Sequence, residues 1–169
     1  MFEIRPRHDS DVVRLCELVR VVHAVDGYPV LLQDDVRSFV VTENCLAAWV
    51  AELHGEVVGH IALHTVWSDE VAELAAATLT RSREELTSVS RLFVDPAYRR
   101  GGMAALLLDA AVRDASDRGT WPVLDVVTTY DAAIALYERM GWRRLGTIAY
   151  PMPNGQPIDE HVYAAPERV

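Results

Sequence analysis

VSRLFVDPAYRRGGMAALLLDAAV, Val89 to Val112, decides the fold. Its first part, Val89–Val94, is apolar and β-prone. Asp95-Pro96 ends it, because proline has no N–H to offer a ladder. Arg99-Arg100-Gly101-Gly102 makes a tight basic loop. From Met103 to Arg118, Ala104, Leu107, Leu108, Ala111, Val112 and Ala115 recur at helical spacing on one face, and Gly119 supplies the stop. Strand, glycine loop and helix in that order leave the first N–H groups of the helix and the positive end of its dipole facing outward, which suits an anion. The glycines let a ligand approach the backbone closely. Arginines at a helix N-terminus run against the dipole's preference for acids, and a bound phosphate resolves that conflict. A solvated turn carrying two surface arginines is the plainer alternative.

Outward from this stretch the chain alternates between strand and helix signals. Phe2–Arg5 is a short strand, followed by a helix over Val12 to Ala24 with Val12, Leu15, Leu18, Val19 and Val22 in a stripe. A second short helix is expected within Leu31 to Val40. Leu46–Leu53 and Glu56–Val66 read as a hairpin turned at His54-Gly55. Trp67 to Thr80 reads as a short helix or an alanine-rich loop. Downstream, Thr120-Trp121-Pro122 reads as a turn into a buried strand, Val123–Thr128. A helix lies between, so this strand is expected parallel to Val89–Val94. Asp131 can cap a helix over Ala132 to Met140. Trp142–Tyr150 and Asp159–Ala164 complete the strands. The expected architecture is α/β (α+β): a mixed, mostly antiparallel central sheet of about seven strands with one splayed parallel pair, flanked by about four helices.

At 169 residues, half of them hydrophobic, the chain is expected to form one domain, residues 1–169. A net charge of −9 disfavours nucleic acid as a partner and is compatible with a cationic amine. No run of about 18 apolar residues suggests a membrane span, and the N-terminal stretch lacks the apolar core of a secretion signal. The two cysteines, Cys16 and Cys45, show no metal-ligand spacing. A cytoplasmic protein without a metal is expected.

The sequence Arg99-Arg100-Gly101-Gly102-Met103-Ala104 resembles the R/Q-x-x-G-x-G/A signature of the GNAT superfamily of N-acetyltransferases, in the family's strand–loop–helix setting. A second element, Tyr130-Asp131-Ala132-Ala133-Ile134-Ala135-Leu136-Tyr137-Glu138-Arg139-Met140-Gly141-Trp142, is similar to the family's N-x-x-A-x-x-L-Y-x-x-x-G-F/W, matching at Ala133, Leu136, Tyr137, Gly141 and Trp142 and departing at Tyr130. The resemblance implies acetyl-coenzyme A as co-substrate. Its pantetheine arm would pair with the backbone of Leu92, Phe93 and Val94, and its pyrophosphate would lie over Arg99, Arg100, Gly101, Gly102, Met103, Ala104 and Ala105. Tyr130 and Tyr137 would also contact the cofactor.

The reaction so implied is acetyl transfer from a thioester to a primary amine, on a small molecule or a peptide N-terminus, by direct attack. An alkyl ammonium near pKa 10 must lose a proton, and a thiolate near 8.5 leaves more readily when protonated. The resemblance gives Tyr137 the role of general acid on sulfur. Without it, the residue reads as a packed tyrosine whose hydroxyl finds a backbone partner. Asp125 is the candidate base, since an acid in an apolar strand is expected to titrate high; a hydrogen-bonded sheet-edge acid is equally compatible. Tyr28, His60, His64 and Trp67 are candidates to line the acceptor side. His60 and His64 share one strand face, which a half-exposed sheet also explains. A catalytically silent acyl-coenzyme A-binding regulatory module is the alternative function. A homodimer through the terminal strands is the candidate assembly.

Overall fold

A computed structural model describes residues 1–167. Its elements, in chain order, are β1 (Phe2–Pro6), α1 (Val12–Asp26), α2 (Val36–Val40), β2 (Cys45–Leu53), β3 (Glu56–Thr65), α3 (Asp69–Leu79), β4 (Leu86–Val94), α4 (Met103–Asp117), β5 (Trp121–Val127), α5 (Asp131–Arg139), β6 (Arg143–Tyr150) and β7 (Ile158–Ala164). The strands hydrogen-bond in the order β1-β2-β3-β4-β5-β7-β6, a seven-stranded mixed sheet as expected. β4 and β5 form the parallel pair, registered at Leu86↔Trp121, Thr87↔Pro122 and Ser88↔Val123, at the start of both strands. Five α-helices stand where about four were expected. The added one is α3, which Ser68 caps by accepting the Val71 N–H at 3.2 Å. Among the described residues, no helix is long and apolar enough to cross a membrane.

The chain groups into two compact units. The first comprises Met1–His64 with Val89–Asp114. Its core forms where the α1 stripe, Val12, Leu15, Leu18, Val19 and Val22, meets Val36 and Val40 of α2, Val50, Val57 and Phe93. β2 and β3 pair as the expected hairpin, with His54 and Gly55 both at positive φ as a tight two-residue turn requires. α4 lies close on β3 because Gly59 has no side chain. A Cβ there would stand 3.2 Å from both Leu107 Cδ1 and Ala51 Cβ.

The second unit comprises Thr65–Ser88 with Ala115 onward. Val71, Ala72 and Ala75 of α3 pack with Val123, Val162 and Ala164 of the sheet. β5 pairs antiparallel with β7, and β7 with β6.

Two sequence expectations are corrected here. Trp121-Pro122 is the start of β5 and not a turn. Proline is tolerated at the first residues of a strand, and the Pro122 carbonyl still accepts the Ala165 N–H at 2.9 Å. The N-cap of α5 is Tyr130, not Asp131. Tyr130 has non-helical dihedrals (φ −86°, ψ 70°), while Asp131 lies in the first turn, where its charge meets the helix dipole.

Candidate functional site

In the first unit, Asp95 ends β4 and its carboxylate accepts the Ala97 N–H at 2.9 Å, starting a short turn at Pro96–Tyr98. The chain then reaches α4 through Arg100 at φ 69° and Gly102 at φ 81°. The Leu106 N–H donates to the Gly102 carbonyl at 3.2 Å as the first rung of the helix. Helix geometry therefore leaves the amides of Met103, Ala104 and Ala105 outside the ladder, at the positive end of the dipole. A Cβ at Gly102 would meet no atom within 4 Å, so the space over the loop is open. Amides at the positive end of a helix dipole, under open space, suit an anion.

The two arginines of the loop differ. Arg99 is already engaged. Its Nη1 donates to Asp26 Oδ1 at 3.1 Å, its Nη2 to the other oxygen of the same carboxylate, and its Nε to the Val94 carbonyl at 3.2 Å. Asp26 pairs with its charge, and Arg99 braces the loop. It also occupies the Val94 carbonyl, one of the strand-edge acceptors expected to face a pantetheine arm. Arg100 is exposed.

Behind the loop, His60 and His64 are buried, 0% and 1% exposed. This corrects the reading of a partly exposed sheet face. The His60 ring stacks on Phe93 with centroids 5.1 Å apart. Its Nδ1 lies 2.8 Å from the Arg91 carbonyl, and Arg7 Nη1 donates to its Nε2 at 3.2 Å. A carbonyl accepts and a guanidinium donates, so the ring is the neutral Nδ1–H tautomer. His64 Nδ1 is 2.7 Å from the Ser90 hydroxyl. Burial, first of all, pushes His60 down to about 3 and His64 to about 4, and the nearby Arg7 and Arg91 charges add to both.

Arg91 interrupts β4 at φ 57°, a left-handed conformation that costs a side chain about 1 kcal/mol. Its guanidinium is held over the Phe39 ring at 4.4 Å, and its Nε donates to the Phe39 carbonyl at 3.0 Å. Arg91 and Phe39, with Leu31, Gln33, Asp35 and Ser38, line a cavity of about 260 Å³. Tyr28 packs edge-on against Phe39, with centroids 6.0 Å apart.

In the second unit, Tyr137 is 8% exposed and packs between Trp142 and Tyr163, at 6.0 and 6.1 Å between centroids. The matched glycine and tryptophan are what hold it there: Gly141 ends α5 at φ 81°, and the Trp142 N–H returns to the Tyr137 carbonyl at 3.0 Å. Tyr130 fills its cap position without a side-chain cap bond, as an aromatic side chain must where a shorter polar one would reach the backbone. Trp67, ahead of α3, is 40% exposed. Asp125 is half-buried on β5. Its neighbour on β7 is Glu160, which sequence reasoning missed. Burial, and then the hydrogen bond and charge of Asp125, push the Glu160 carboxyl up to about 9.

Residues 14–142, most of the chain, match the acetyltransferase (GNAT) family. The chain belongs to that family. Human N-acetyltransferase 8 is 30% identical to this GNAT chain over 113 residues, which is 66% of the chain and 45% of the relative, so the chain spans less than half of that protein's length. Among solved structures, Arabidopsis thaliana NAA60 in complex with acetyl-coenzyme A is similar at a TM-score of 0.73, with 23% identity over 97% of both chains. The ribosomal-protein-S18-alanine N-acetyltransferase of Escherichia coli is similar at 0.70, with 21% identity over 100% of this chain and 96% of its own. At these identities the two structures establish a shared GNAT fold.

Proposed function

We propose that this GNAT protein is an N-acetyltransferase that moves the acetyl group of acetyl-coenzyme A to a primary amine of a small molecule or a peptide N-terminus, as a single catalytic domain acting in the cytoplasm. One observation carries this proposal: three helix-start amides, Met103 to Ala105, beneath open space at Gly102. These amides and Arg100 hold the pyrophosphate. Backbone groups of Leu92 and Phe93 hold the pantetheine arm as an added strand would. Acetyl-coenzyme A supplies the activated acyl group. Asp125 takes one proton of the acceptor ammonium, the amine nitrogen bonds to the acyl carbon as the carbon–sulfur bond breaks, Tyr137 gives its hydroxyl proton to the departing sulfur, and the second nitrogen proton, lost as the amide forms, restores the Tyr137 hydroxyl. Tyr28, Trp67 and the cavity between Asp35 and Arg91 serve the acceptor. His60 and His64 take no part in its binding, since their rings are buried.

The test is calorimetric titration with acetyl-coenzyme A, followed by thiol-release assays against a panel of small primary amines and peptides with free N-termini. Saturable binding and turnover of at least one amine are expected. Binding without turnover would identify a silent acyl-coenzyme A module, for which the cap at Tyr130 is the supporting feature. In the turnover assay, Tyr137→Phe is expected to lower kcat about 100-fold, near the low end for general-acid catalysis because a thiolate leaves tolerably well unaided. KM for acetyl-coenzyme A should change little. An unaltered kcat would remove Tyr137 from the proton path.

A further inference from the structure

We infer that Glu160 is the proton-sharing partner of Asp125, positioning that carboxyl for the acceptor amine. The inference rests on the proposed role of Asp125 as base, and it starts from strand register. β5 and β7 pair Asp125 with Val162 and Val127 with Glu160. Asp125 and Glu160 are therefore diagonal neighbours on one face of an antiparallel pair, within reach of each other's side chains. Asp125, after burial, is what raises the Glu160 carboxyl. Glu160 Oε2 is fully buried, and no donor of the protein reaches it among the described residues.

Two ionised carboxylates have only acceptors between them, so this contact requires a proton. The surroundings favour that state. β6 places Ile148 opposite Glu160, and α3 sets Leu74 against Gly146 on the same face. Among the titratable groups nearby, Asp125 is the one that acts on Glu160. The acids of α3 turn elsewhere: Asp69 pairs with Arg83, Glu70 accepts from Ser68, and Glu73 is exposed. His161, on the opposite face of β7, bonds to the Thr147 hydroxyl at 2.7 Å.

Glu160 thus keeps its proton at neutral pH, raised by burial first and then by Asp125. That proton fixes one oxygen of Asp125 and leaves the other to accept. When the acceptor ammonium arrives, its proton passes to the pair, which goes from singly to doubly protonated, and the nitrogen keeps the electron pair with which it attacks. The doubly protonated pair then returns one proton to solvent.

Carbon-13 NMR of protein labelled at the carboxyl carbons of glutamate and aspartate tests the pair without any substrate. One glutamate is expected to titrate near 9, to vanish from the spectrum in Glu160→Gln, and to move toward the ordinary range in Asp125→Asn. If every glutamate titrates in the ordinary range, the shared proton does not exist. The positioning role is read from rate profiles against pH, with a peptide amine turned over in the panel above. Glu160→Leu should lower kcat about 10-fold or more with little change in KM. Glu160→Gln, which keeps a donor but cannot titrate, should restore part of that loss and remove the alkaline limb. Identical profiles for wild type and both variants would overturn the role. If the shared proton is seen but Asp125→Asn leaves kcat intact, the base assignment falls and the positioning role falls with it.

Discussion

Gly102→Glu is expected to abolish binding of acetyl-coenzyme A while leaving the protein folded. Residue 102 stands at φ 81°, so any side chain there incurs about 1 kcal/mol of backbone strain, but a Cβ would meet no neighbouring atom. The cost to folding is therefore small, and the cost to the ligand is large. A carboxylate about 4 Å from a pyrophosphate opposes it by roughly 4 kcal/mol at the effective dielectric of a protein surface, about a thousandfold in affinity. It would also satisfy the free amides of Met103 to Ala105 itself, competing from within the chain. Gly102→Ala carries the strain without the charge, and a loss of no more than about tenfold is expected. Calorimetry of the three proteins, with circular dichroism as the check on folding, separates the terms. Equal affinity in wild type and Gly102→Glu would show that the phosphates lie elsewhere.

Stability is expected to peak near pH 6.5 and to fall on both sides, for two opposite reasons. His60 and His64 have lowered folded values, about 3 and 4, so between those values and about 6.5 the unfolded chain binds two protons that the folded chain refuses. Their contribution is complete above 6.5 and is lost as pH falls. Glu160 has a raised folded value, about 9, so its contribution is complete below the ordinary glutamate range and is lost as pH rises toward 9. Each group is worth about 1.4 kcal/mol per pH unit inside its window. From 6.5 to 4.5 two histidines outweigh one glutamate, leaving a net loss of one group, roughly 3 kcal/mol over two units. From 7 to 9 Glu160 gives up its contribution, a smaller fall because solvent screens its partly exposed carboxyl. Urea unfolding across this range checks the profile. Glu160→Gln should remove the alkaline fall and roughly double the acid slope, and His60→Gln should flatten the acid limb. A curve level from pH 4.5 to 6.5 would mean the histidines are not buried as neutral rings.

Much of the scaffold is legible in local sequence because its signals are local. The α1 stripe, the His54-Gly55 turn and the sequence from Asp95 to Ala105 each specify their structure within a few residues. What escaped depends on partners distant in sequence. Nothing near Arg99 announces Asp26, 73 residues away, so its charge read as free. The histidine pair shows the right period on β3, but periodicity gives a shared face and not its depth; burial comes from Phe93, Ser90 and Arg91 on another strand. Glu160 lies in a short strand of mixed polarity, and only the register with β5 brings it to Asp125. Arg91 looks like an ordinary strand residue, since a left-handed arginine has no sequence mark of the kind glycine provides.

Gly59 carries a consequence for how affinity is distributed through the molecule. Leu107 rests on it one helical turn inward from Met103, and a methyl group there would force the helix or the strand aside by a few tenths of an ångström. Hydrogen bonds to an anion are sensitive to displacements of that size. The grip of the loop is thus tuned from underneath, by an atom that is missing on a strand the ligand never meets. Variation at such a foundation position would alter ligand retention while every contacting residue stayed the same, so a mutational survey confined to the rim would miss it.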